Sequence, residues 1–134
     1  MRERQAVFVD SGAWIALALT RDPLHARARQ AWEEILDAGA RLYTSIPVVI
    51  ETFTFLDRNA ERDVALAWKD SLGATSGLEI LECSLADLER AWAYFRRGLH
   101  KLSAVDATSF AIMKRKKCAA SGVSCSSIWS ASSP

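Results

Sequence analysis

Ala6-Val7-Phe8-Val9-Asp10-Ser11-Gly12-Ala13-Trp14 is the stretch that decides the fold. Its first four residues form a short continuous apolar run, the pattern of a strand buried on both faces. Asp10-Ser11-Gly12 breaks that run, and Ala13 to Leu19 resumes with helix formers. Strand, small turn and helix in succession are the opening of an α/β unit.

The rest of the chain repeats the alternation. Asp22-Pro23 predicts an N-cap with proline at the first helical position. Leu24, Ala28, Ala31, Trp32, Ile35 and Leu36 keep helical spacing up to Gly39. Residues 41–44 read as a second strand, and Ser45 with Pro47 opens a helix carrying Ile46, Val48, Val49, Ile50, Phe53, Phe55 and Leu56. Residues 60–72 read as another helix and 78–81 as a strand. Ser84 to Asp87 has the spacing of a capping box. The helix it starts has Leu88, Ala91, Trp92 and Phe95 as its core stripe and stops at Gly98, and Ser103 opens a last helix. Strands alternating with helices predict a short, mostly parallel sheet flanked by helices on both sides.

At 134 residues the chain has room for one domain, and its composition, 50% hydrophobic and 25% charged, excludes disordered and fibrous classes. Ser11 to Thr20, the longest uncharged stretch before residue 118, is about half a bilayer span. No signal-peptide pattern opens the chain. Cys83, Cys118 and Cys125 show neither metal spacing nor a disulfide framework, so the chain reads as cytosolic and reduced, with no membrane contact. Charge is divided unevenly. Residues 1–95 carry 10 basic and 15 acidic side chains, whereas 96–117 hold Arg96, Arg97, Lys101, Lys114, Arg115, Lys116 and Lys117 against Asp106 alone. That basic segment could hold a polyanion, or Lys114 to Lys117 could only complement a helix dipole.

Three carboxylates stand apart from the solvated acids. Asp10 ends the first strand, where open α/β sheets bind ligands, although a helix N-cap explains it equally well. Glu51 lies in an otherwise apolar helix, and a carboxylate buried there needs a metal, an arginine or a proton. Asp106 follows Ser103 by three, itself a capping-box spacing. As a set, two or three such carboxylates form a hard-oxygen site for Mg²⁺ or Mn²⁺ that can hydrolyse a phosphodiester.

Residues 8–14, 44–52 (Thr-Ser-Ile-Pro-Val-Val-Ile-Glu-Thr) and 102–111 (Leu-Ser-Ala-Val-Asp-Ala-Thr-Ser-Phe-Ala) resemble, in order and spacing, the three acidic segments of PIN-domain ribonucleases. Length and style are closest to VapC-type toxins. The resemblance implies a PIN-like α/β domain over residues 1–117 and metal-dependent hydrolysis of RNA phosphodiester bonds. It implies Asp10, Glu51 and Asp106 as catalytic, Mg²⁺- or Mn²⁺-binding acids, with Ser11 as a supporting hydroxyl. Arg96, Arg97 and Lys101 are the RNA-binding candidates. The expected partners are an RNA substrate, a cognate antitoxin protein and a second copy in a homodimer.

Residues 118–134 depart from the family pattern. Seven of these 17 residues are serine, none is charged, and no acid stands where the family places a fourth after its last strand. This atypical tail reads as the product of a shifted frame, since UCN serine codons read one base earlier become codons for Phe, Leu, Ile or Val. Two other functions stay open on sequence. One is a catalytically impaired domain that only binds antitoxin or RNA. The other is an aspartyl-phosphate enzyme built on Asp10, against which stands the lack of an acid two residues further on.

Overall fold

The structure, a computed structural model, describes residues 5–97, 102–116 and, for the backbone only, 125–127. Gly98 and Lys101 lie outside the described residues, so helix termination at Gly98 and the RNA-binding role of Lys101 lie outside them too.

Strand β1 (Ala6–Phe8) is buried along its whole length, as its apolar run requires. It lies between β2 (Arg41–Ser45) and a short strand, β4 (Cys125–Ser127), and β3 (Leu78–Leu81) borders β2 on the outside. All three pairings are parallel, with Phe8 opposite Tyr43 on one side and Ser127 on the other. The tail therefore contributes three residues of sheet next to β1.

Helices α1 (Ser11–Ala18), α2 (His25–Asp37), α3 (Ile46–Asn59), α4 (Arg62–Ala74), α5 (Leu85–Arg96) and α6 (Ala104–Arg115) fill the connections. The core joins Val7, Phe8 and Val9 to Trp14, Leu42, Val48, Leu56, Trp68 and Ile112. Burying each large side chain there contributes about 1.5–3 kcal/mol before chain entropy is counted. Trp14 is the hub of the aromatic packing, 5.5 Å from Trp32 and 6.0 Å edge-on from Trp68 between ring centroids.

Local chemistry sets the boundaries. Ser45 accepts from the Val48 N–H to start α3, and both Ser84 and Ser103 complete capping boxes. Gly39 ends α2 at φ +68°, a conformation that L side chains rarely adopt. Helix α2 begins at His25 rather than at Pro23, because Asp22 uses its carboxylate on the Leu24 N–H in a turn. Two apolar stripes are only partly covered: Trp92 and Phe95 on α5 and Phe110 on α6 remain exposed, although Ala91, Ala107 and Ala111 are buried.

Candidate active site

Asp10 stands where β1 ends and α1 begins. Its side chain caps α1 by accepting from the Ala13 N–H at 3.4 Å. The helix-cap reading of the sequence thus holds, and the cap lies at the carboxyl end of the first strand. Capping takes one of about four acceptor positions on a carboxylate.

Ser11, the next residue, donates its hydroxyl hydrogen to Glu51 Oε1. This contact brings α3 against the first turn of α1 and places Glu51 beside the end of β1. Glu51 is half-buried rather than enclosed, which corrects the expectation from its apolar helix. Helix α3 turns Val48, Thr52 and Leu56 to the core, whereas Ile46, Ile50 and Phe55 line an open groove of about 920 Å³. A helix apolar on both faces here has one face in a groove. Glu51 lines that groove and accepts from Ser11, and among the described residues it has no arginine partner.

Asp106 lies in the first turn of α6, its Oδ2 accepting from the Ser103 N–H at 3.3 Å while its own N–H donates to Ser103 Oγ at 3.0 Å. Its neighbour Val105 lines the same groove as Glu51. Asp10, Ser11, Glu51 and Asp106 offer only oxygen donors, a set that suits Mg²⁺ or Mn²⁺ and not a soft metal. Among the described residues, no three Asp, Glu, His or Cys side chains gather closely enough to hold an ion. The fold links Ser11 directly to Glu51. Cys83 also borders the groove, but burial and the nearby Asp87 push its thiol up, against the effect of Arg115, which leaves it a poor nucleophile.

Sequence reasoning took Asp87 for a cap and missed its larger role. Fully buried, it accepts from Arg90 at 2.6 Å and from Arg115 at 3.0 Å, and Arg115 also reaches the Glu82 carbonyl. Burial pushes the Asp87 carboxyl up, but the Ser84 backbone N–H, Arg115, the Ser84 hydroxyl and Arg90 outweigh it and hold it at about 2. The basic run is therefore partly structural. Arg115 serves Asp87, and Lys116 lies 3.7 Å from Glu79 and over the Tyr43 ring. Arg96 and Arg97 are exposed at the end of α5, Arg97 lying 5.6 Å from the Tyr94 ring centre.

Comparison with known proteins agrees with this architecture. Residues 7–120 match the PIN domain family. The 23S rRNA-specific endonuclease VapC20 of Mycobacterium tuberculosis, in strains CDC 1551 / Oshkosh and ATCC 25618 / H37Rv, is 35% identical over 112 residues, covering 82% of each chain. The crystal structure of M. tuberculosis VapC20, described as a Sarcin-Ricin loop cleaving toxin, superposes with a TM-score of 0.69 at 30% identity, again over 82% of both chains. Three acidic segments in family order, a parallel sheet that delivers the first acid at the end of β1, and relatedness across four-fifths of the chain have one meaning: this protein belongs to the PIN-domain family, as a toxin of the VapC type.

Proposed function

We propose that the chain is the endoribonuclease toxin of a toxin–antitoxin pair and hydrolyses RNA phosphodiester bonds with Mg²⁺ or Mn²⁺ held by Asp10, Glu51 and Asp106. The observation that carries this is the Ser11–Glu51 hydrogen bond, which couples α3 to the residue after Asp10 at the carboxyl end of the sheet. When bound, the ion supplies Lewis-acid chemistry, activating water and neutralising phosphoryl charge. The three carboxylates would be drawn onto the ion as it binds, with Ser11 fixing the direction of Glu51. Exposed Arg96 and Arg97, with Lys101, are assigned to the RNA backbone. The names of the relatives make ribosomal RNA the first substrate to test. We place the chain in the cytosol with an antitoxin protein as its partner. Exposed Ile46, Ile50, Phe55 and Phe110 support a homodimer.

One observation favours a second function, a domain that binds antitoxin or RNA without turnover: residues 118–134 contain no acid to complete the site. Cleavage of ribosomal RNA with Mn²⁺, comparing the chain with Asp10→Asn, separates the two. Cleavage that is lost on substitution, with the thermal melt retained, supports the nuclease. A folded chain that binds RNA in EDTA and cuts none supports the binding domain.

A further inference from the structure

Thr44 is fully buried near the end of β2, and its hydroxyl has two partners. Trp14 Nε1 lies 3.1 Å from Thr44 Oγ1, which lies 2.9 Å from the Val9 carbonyl oxygen. An indole N–H only donates and a carbonyl only accepts, so the single hydroxyl hydrogen must go to Val9. The chain of bonds runs one way, from Trp14 through Thr44 to Val9, and bonds aligned in this manner reinforce one another.

These partners flank Asp10. Val9 precedes it, and Trp14 follows by four residues, with the Trp14 backbone N–H bonded to the Asp10 carbonyl at 3.2 Å. The Val9 N–H still makes a sheet bond, to the Tyr43 carbonyl at 2.8 Å. The Val9 carbonyl, facing the same strand, takes its hydrogen bond from the Thr44 side chain. There β1 leaves the sheet and turns into α1. One buried hydroxyl thus ties the backbone carbonyl just before the first acid to the indole of Trp14, four residues after it.

We propose that Thr44 is a positioning residue for Asp10, oriented by Trp14, and that it sets how well Asp10 meets the metal ion. This rests on the nuclease function proposed above. The test compares Thr44→Val, which removes the hydroxyl but keeps the branched shape, with Thr44→Ser, which restores it. Thr44→Val is expected to lower kcat for RNA about 10–100-fold with KM unchanged, the range for supports of metal ligands. Mn²⁺ affinity, measured by electron paramagnetic resonance without RNA, falls in parallel, and the Trp14 indole ¹⁵N–H resonance moves. Thr44→Ser recovers all three. Should Thr44→Val fail to fold, Trp14→Phe removes the orienting donor together with part of the ring packed on Trp32 and Trp68, and in a chain shown to be folded it is expected to shift Mn²⁺ affinity in the same direction. A Thr44→Val chain with wild-type kcat and Mn²⁺ affinity overturns the proposal, as does a Thr44→Ser chain as impaired as Thr44→Val. A wild-type chain that cuts no RNA and binds no Mn²⁺ overturns the nuclease function first and this proposal with it.

Discussion

Ser11 donates to Glu51 across 40 residues of chain, and this bond ties the end of β1 to α3. A carboxylate on an open groove wall has many rotamers, and the hydroxyl selects among them. Ser11→Ala removes that selection while leaving all three acids present. Cleavage is expected to fall about 10–100-fold, as when other groups that orient metal ligands are removed. Stability should change by only about 0.5 kcal/mol, since both side chains are half-exposed. Initial cleavage rates beside thermal melts check this, and Ser11→Thr, which keeps a hydroxyl, should retain most activity. Equal rates for Ser11→Ala and wild type would remove Ser11 from the site.

Asp87 gives the fold a defined acid limit. Its carboxyl is held at about 2, below the ordinary 3.8. For a depressed carboxylate, the stabilisation is fully present above the unfolded value near pH 4 and is lost as pH falls through about 2. With both arginines partly exposed to solvent, its worth is about 1–2 kcal/mol. Arg115→Met should release part of this and return the carboxyl toward its ordinary value. Urea melts at pH 7 and pH 3 are expected to show the variant less stable at pH 7, with the difference narrowing at pH 3. A constant difference at both pH values would show that the lost stability came from packing instead.

What was legible in the sequence was local. The buried run at 6–9, the caps at Ser45, Ser84 and Ser103 and the stop at Gly39 each follow from a few neighbouring residues, and the structure has all of them. Asp87 was not legible as a buried ion pair because Arg115 stands 28 positions away and only the α5–α6 packing brings it near. Glu51 looked enclosed because periodicity does not distinguish a helix buried all round from one with an apolar face on a groove. Asp10 could be placed at a strand end, but the link through Thr44 and Trp14 joins three elements and leaves no pattern in any one of them.

The groove face of α3 makes a separate prediction about assembly. Ile50 is 61% exposed and Ile46 44%, on a helix whose core side chains point the other way. A homodimer covering this face would be broken by Ile50→Lys. The wild-type chain is expected to sediment as a dimer and the variant as a monomer. The fold should be unaffected, because an exposed substitution away from the core costs within about 0.5 kcal/mol. A wild-type chain that sediments as a monomer would overturn the homodimer.

The tail gives the sharpest genetic prediction. Cys125–Ser127 pairs in parallel with β1, so the serine-rich segment occupies a position where a sheet strand belongs. Serine is a poor choice for such a strand, whereas the apolar residues obtained from UCN codons read one base earlier suit it. An aspartate arising in that frame at the Ser127–Ile128 junction would follow the Phe8–Ser127 pair directly, level with the end of β1 that delivers Asp10. It would supply the fourth acid that the family resemblance implies. Sequencing the coding DNA beyond Lys117 is expected to show an apolar strand and an aspartate in one of the two other frames. A chain rebuilt from that frame should bind Mn²⁺ about 10-fold or more tightly and melt at a higher temperature, since it gains both a metal-facing carboxylate and buried apolar area. If neither frame encodes a strand followed by an aspartate, the serine-rich tail is the true sequence, and whatever activity is measured belongs to three acids alone.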